Sequence, residues 1–183
     1  MTNLVIAYSQ QKNNKCKEGD TEQDHMHYIA DILFYILSKD KRLNTYFIPL
    51  QNTGTDNGNL RQSIRLSNAF IRANGGKGYH IELHSDAGAY AKGCSALYVS
   101  EKGKVLATYL YNELADLTPT PDAGVRKRDN LGALNQTIAV ATILEVSFHD
   151  NQQEAKFIHD ESISIAVRLA NGIYKFLKGE KTL

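Results

Sequence analysis

The chain has 183 residues, enough for one domain that buries roughly two thirds of the surface its unfolded chain would expose. Hydrophobic residues make up 42% and charged residues 22%, an ordinary globular composition, and 21 basic against 20 acidic residues leave a formal net charge of +1. That balance supplies no field for nucleic acid or anionic lipid, and no run approaches the roughly 20 apolar residues needed to span a bilayer.

The start, Met1 to Tyr8, has no basic opening, no long apolar stretch and no small-residue cleavage site, so no secretory signal is expected. Cys16 and Cys94 are the only cysteines, at a spacing that suits neither a disulfide framework nor a zinc knuckle; free thiols are the expectation.

Residues 4–8 form a short apolar run that predicts a buried strand. A polar loop follows over 9–20. A helix is predicted from Thr21, whose hydroxyl can cap the first turn, with Glu22 and Asp24 favoured there by the helix dipole. Its inward stripe is Met26, Ile29, Ala30, Leu33, Ile36 and Leu37. Residues 44–48 predict a second strand, and 51–59 a loop rich in Gly, Asn and Asp. Leu60, Ile64, Ser67, Asn68 and Ile71 recur at helical spacing over 60–74, and Gly75 and Gly76 end that helix.

Strands are predicted over 79–84 and 95–100, separated by a Gly/Ala loop. A helix over 105–117 is closed by the run Thr118 to Pro121. The basic stretch 124–135 reads as mostly loop. Residues 139–148 are nearly continuously apolar and predict a central strand buried on both faces. The last helical region, 152–177, is expected to break near His159 and Asp160. Strands alternating with helices give the α/β class: a single domain with a twisted, mostly parallel sheet and helices on both faces. Its expected extent is residues 1–178, with 179–183 a tail or the start of a linker.

Three residues sit where structure alone does not want them. Glu145 interrupts the series Ile143, Leu144, Val146, Phe148, and burying an unpaired carboxylate costs several kcal/mol or forces it to take up a proton. One reading pairs it with Arg126 or Arg128; the other makes it a general base with a raised pKa. Glu22 lies four residues before Met26 and seven before Ile29, so it shares the inward face of its helix. His84 ends an alternating strand in which Ile81 and Leu83 face one way and His80, Glu82 and His84 the other. His84 alone reaches the loop, at the carboxyl end of a strand, where open α/β enzymes keep their chemistry. His80 and Glu82 are candidates for supporting it as much as for being ligands themselves.

These segments resemble the zinc-dependent N-acetylmuramoyl-L-alanine amidases of the amidase-3 family, especially the catalytic domains of clostridial phage endolysins. The stretches that carry the resemblance are Thr21 to Asp24 followed by Ile29 and Ala30, Ile81 to Ala87, and Ile143 to Asn151. Gly93 with Ser95 to Tyr98 and the stretch Gly124 to Arg128 with Leu131 to Leu134 add to it, and the likeness runs from Leu4 to about Leu177. One departure stands out: Gln10 falls where the family has its first zinc-binding histidine, and a glutamine offers only a neutral amide oxygen, a weaker donor for zinc than imidazole.

The resemblance implies a peptidoglycan hydrolase that cleaves the amide between N-acetylmuramic acid and L-alanine with zinc-activated water. It makes Glu145 the general base and acid, and Glu22, His84 and a third group the Zn2+ ligands. Gln10 is the first choice for that third ligand, with His25, His149 or a crippled site as alternatives. Arg126 and Asp86 are expected to contact substrate. Peptidoglycan is the expected partner, of a monomer that acts at the bacterial cell wall after waiting in a host cytoplasm. Two rival readings stay open: a non-catalytic peptidoglycan-binding domain with a decayed metal site, and a zinc peptidase acting on the stem peptide.

Overall fold

The chain alternates strand and helix from its first residues in the computed structural model, which describes residues 1–88, 93–119 and 123–179. In order, the elements are β1 (Thr2–Tyr8), α1 (Glu22–Ser38), β2 (Leu43–Phe47), α2 (Asp56–Ala73), β3 (Tyr79–Asp86), β4 (Ser95–Tyr98), α3 (Glu101–Ala115), β5 (Gly124–Lys127), α4 (Gly132–Asn135), β6 (Val140–Phe148), α5 (Gln152–Asp160) and α6 (Ser162–Gly179). The strands make one sheet in the order β2-β1-β3-β6-β4-β5. The pairs β1–β2, β1–β3, β3–β6 and β4–β5 are parallel, and β4 runs antiparallel to β6. A mostly parallel sheet with helices on both faces is the architecture the sequence predicts.

Strand alternation divides the side chains between two layers. Leu4, Ile6 and Tyr8 of β1, Ile81 and Leu83 of β3, and Leu144 and Val146 of β6 face the larger core, where they meet Met26, Ile29, Leu33, Leu106, Leu110, Ile165 and Leu169 of α1, α3 and α6. The opposite residues, Val5 and Ala7 of β1 and Ala141 and Ile143 of β6, face two smaller clusters completed by Ile71 of α2 and by Ala133 and Leu134 of α4. His80, Glu82, His84 and Glu145 therefore belong to the α2/α4 face, in the same rows as these apolar residues.

Local signals set most boundaries. Thr21 caps α1 by accepting from the Asp24 N–H, and the Asp24 carboxylate accepts in return from the Thr21 N–H, a reciprocal pair worth about 1 kcal/mol. The expected break between the last two helices falls at Glu161. Three expectations change. The second helix starts at Asp56 rather than at residue 60, because Thr55 accepts from the Gly58 N–H and caps a turn made of polar residues. The third helix starts at Glu101 rather than 105, capped by Ser100.

The basic stretch expected to be mostly loop holds β5 and the short α4; β5 exists because its backbone pairs with β4 from Ser95↔Gly124 to Tyr98↔Lys127. Residues 89–92 of the Gly/Ala loop, Thr120 and Pro121 of the helix stop, and 180–183 of the expected tail lie outside the described residues. Gly179 still belongs to α6. Among the described residues no helix is long and apolar enough to cross a membrane.

Gly78 shows how closely β3 enters the sheet. A Cβ there would lie 2.6 Å from Ile71 Cδ1 and 2.7 Å from the Asn3 carbonyl oxygen. The side-chain end can yield; the backbone oxygen cannot without shifting β1. Gly78→Ala is expected to lose roughly 1–3 kcal/mol of stability in urea unfolding. An unchanged midpoint would show that β1 and α2 are free to move apart here.

Candidate active site

The carboxyl ends of β1, β3 and β6 lie at one edge of the sheet, and the first turn of α1 comes to meet them. β1 stops at Tyr8 opposite Leu83, while β3 and β6 run on together to Asp86 and Phe148. The Ser9 N–H donates to the Leu83 carbonyl at 2.8 Å, and His84 lies in register with Glu145. Just beyond, the β3–β6 register slips: Asp86 faces Phe148, so β6 carries one extra residue next to the site. Bulges in such places re-aim side chains at the end of a strand.

Glu22, the first residue of α1, is 1% exposed and reaches over the end of β3. Its Oε1 lies 3.0 Å from His84 Nδ1 and accepts from the Ser85 N–H at 3.2 Å, while Oε2 accepts from Asn14 Nδ2 at 2.6 Å. Burial alone would push this carboxyl up, but His84 and the hydrogen bonds to it hold it below the ordinary value. Asn14 carried no signal in the sequence, since it sits in an irregular polar loop.

The other nitrogen of His84, Nε2, lies 2.9 Å from Glu82 Oε1. Glu82 Oε2 in turn meets His80 Nε2 at 3.1 Å, and His80 Nδ1 meets Ser67 Oγ at 3.0 Å. Burial would raise the Glu82 carboxyl, yet the two imidazoles outweigh it and hold it at about 2. Burial likewise disfavours charge on His84, and the two flanking carboxylates reverse that, lifting it well above the usual imidazole value. One imidazole is thus clamped between two carboxylates.

Glu145 is the opposite case. Its Oε2 is shut off from solvent and has no hydrogen-bond partner. Desolvation lifts its pKa to about 7; Asp86 and Glu22 push it the same way, while His84 and Arg126 offset part of the rise. The alternative pairing with an arginine does not form: Arg126 Nη2 donates to Ser95 Oγ at 3.0 Å, and Arg128 Nε donates to Asn130. Ser95 lies in register with Glu145 on the neighbouring strand, so Arg126 stands one residue away from the carboxylate it does not bind.

The remaining candidates separate. Gln10 is buried, accepts through Oε1 from the Gln51 N–H at 2.9 Å, and lines the same cleft as Glu82 and His84. His25 has Asp20 at 3.4 Å and His159 edge-on at 6.0 Å as its neighbours. His149 is turned to Ser85, with Nδ1 3.0 Å from both its hydroxyl and its carbonyl oxygen. Asp86, at the end of β3, accepts from the Ala87 N–H and is partly exposed. Cys16 and Cys94 are buried and not joined in a disulfide, as expected.

Among the described residues no three His, Cys, Asp or Glu side chains are grouped to hold a metal ion. The 3.0 Å between Glu22 Oε1 and His84 Nδ1 is nevertheless close to the roughly 3.3 Å that two ligands of one tetrahedral zinc ion keep. A metal shared by these two needs a third donor of another kind, and the amide oxygen of Gln10 keeps one lone pair beyond its bond to Gln51. A cleft of about 250 Å3 opens beside Gln10, Glu82 and His84, with Leu60, Leu131 and Ile143 as its apolar wall.

Comparison with known proteins bears on the fold. The chain aligns with the catalytic domain of the CD27L endolysin targeting Clostridia difficile at 22% identity and a TM-score of 0.79, covering 96% of this chain and 98% of that one. CwlV, an N-acetylmuramoyl-L-alanine amidase from Bacillus (Paenibacillus) polymyxa var. colistinus, gives 20% identity and a TM-score of 0.81, over 97% of this chain and 99% of its catalytic domain. The CwlD amidase from Clostridioides difficile gives 18% and 0.80, over 97% and 99%. At these identities the likeness is one of fold. No curated protein sequence matches the chain. The pattern of the amidase-3 family, described as N-acetylmuramoyl-L-alanine amidase, matches residues 5–175, and the chain therefore belongs to that family.

Proposed function

We infer that this chain hydrolyses the amide joining the lactyl group of N-acetylmuramic acid to L-alanine in peptidoglycan, with zinc held by Glu22, His84 and Gln10. The observation that carries the reading is Glu145: a carboxylate in register with His84, buried at one oxygen, unpartnered, and lifted to about 7. A structural acid would have been paired or lost; one held half-protonated near neutrality suits proton transfer in both directions.

Zinc, when bound, supplies a Lewis acid that lowers the pKa of a water to about 7 and stabilises charge on a carbonyl oxygen. Glu145 takes the proton of the attacking water and then delivers it to the departing alanine nitrogen, which would otherwise leave as an unstable amide anion. Arg126, anchored on Ser95 one strand away, offers a cation to a carboxylate of the stem peptide, and Asp86 an acceptor on the other side of Glu145.

The reading as a wall-binding scaffold without turnover draws on one observation: Gln10 already spends a lone pair on Gln51, which weakens it as a metal donor. Metal content of the purified protein together with clearing of a cell-wall suspension separates the two. Glu145→Ala is expected to abolish clearing, a loss of at least 100-fold, with zinc content unchanged. Clearing retained in that variant removes Glu145 as the base. Mass analysis of the released fragments should show free peptides with alanine at the amino end; intact muramyl-alanine with cut stems would make the enzyme a peptidase. Gln10→His is expected to tighten zinc binding at least tenfold, and an unchanged affinity would take Gln10 out of the ligand set.

Glu145 also predicts a pH dependence of stability in chelator-treated protein. Its native pKa of about 7 lies above the ordinary 4.5, so between those values the folded state binds more protons than the unfolded one. Stability therefore falls as pH rises from about 4.5 to about 7 and stays lowered above. Glu145→Gln removes that cost: it should raise stability at pH 8 by roughly 1–3 kcal/mol and leave it unchanged at pH 4. Equal effects at both pH values would mean that Glu145 titrates normally.

A further inference from the structure

The clamp on His84 has a second carboxylate that the reaction above does not use. Glu82 and His80 lie on the α2/α4 face of β3 in the rows of Val5, Ala7 and Ile143, at positions where a parallel strand ordinarily carries Val or Ile. His80 is 0% and Glu82 4% exposed. Burying an ion pair seldom stabilises a fold more than apolar residues of the same volume, so folding alone does not account for three polar side chains in this row.

We propose that Glu82 is a positioning residue: it accepts the Nε2–H of His84, fixes the orientation of that ring, and leaves Nδ1, the nitrogen facing Glu22, as the one that binds zinc. The directions of the hydrogen bonds lead there. An ionised carboxylate only accepts, so at 2.9 Å Nε2 of His84 is the donor to Oε1. By the same rule His80 Nε2 donates to Oε2 at 3.1 Å. His80 Nδ1 is then free to accept from the Ser67 hydroxyl at 3.0 Å. Ser67 is itself fully buried on α2, so the chain Ser67–His80–Glu82 is anchored in a helix at one end and holds the His84 ring at the other. Both oxygens of Glu82 are committed, one to each imidazole, which holds the carboxylate in place. A histidine ligand whose far nitrogen is held by a carboxylate is a stronger and better aimed donor, and losing such a partner typically weakens metal binding about 10- to 100-fold.

This inference rests on the reading that Glu22 and His84 share zinc, and the test separates the two. Zinc affinity is measured by competition with a chromogenic chelator for the wild-type chain, Glu82→Ala and Glu82→Gln, with far-UV circular dichroism to establish folding. Long-range 1H–15N spectra of the histidine rings in the zinc-loaded wild type report which nitrogen of His84 keeps its proton. The expected result is a 10- to 100-fold loss of affinity in Glu82→Ala, and a smaller loss in Glu82→Gln, whose amide oxygen still accepts. His84 should be protonated at Nε2 and metal-bound at Nδ1. Wild-type chain that binds no zinc overturns the metal reading itself. Zinc-binding wild type with Glu82→Ala within twofold of it overturns only the role of Glu82, as does a His84 ring bound through Nε2. Should Glu82→Ala fail to fold, Glu82→Gln and the ring spectrum of the wild type decide alone.

Discussion

The constraint on which the rest of this structure depends is that one imidazole, at the carboxyl end of β3, stands between two buried carboxylates. Glu22 is 1% and Glu82 4% exposed; contact with His84 holds Glu22 below its usual pKa, and His80 together with His84 does the same for Glu82. The ring could not hold its charge without them. Because Glu22 arrives from α1 and Glu82 from the strand itself, the clamp ties the first helix of one layer to the central strand of the sheet. The capping pair at Thr21 and Asp24 then sets where α1 begins, and so where Glu22 projects.

Against that tightly satisfied group, Glu145 is left without a partner one strand away. The contrast separates two kinds of buried acid. Glu22 and Glu82 are compensated and stay ionised; Glu145 is desolvated and close to neutral pH in its pKa. Within one site the carboxylates are thus pushed in opposite directions, two toward holding charge and one toward taking up a proton. Arg126 could have closed this gap and instead bonds to Ser95, which keeps Glu145 free.

Much of this was readable from the residues because the signals were local. A carboxylate inside an apolar run marked Glu145, and a histidine where alternation gives way to small polar residues marked His84. Thr21 followed by Asp24 marked the start of α1. Tertiary pairing decided the rest. Alternation placed His80, Glu82 and His84 on one side of β3, but which nitrogen meets which oxygen depends on how α2 and α1 pack. The strand β5 was read as loop because four partly exposed residues of basic character carry almost no hydrophobic pattern; their strand state comes from the backbone of β4. Nothing in the irregular loop before α1 distinguished Asn14 as the residue that holds Glu22 Oε2.

The strand β5 has a further consequence at the edge of the sheet. An edge strand offers a row of unpaired backbone groups to any extended chain that comes by, and proteins blunt such edges by keeping them short and charged. β5 is four residues long and places Arg126 and Lys127 in its second half, with Arg128 directly after it. The sheet is thereby closed to growth on its β5 side, two strands from Glu145. A segment of another chain that added itself there would have to pack against these exposed cations, so strand addition and aggregation through this edge are disfavoured.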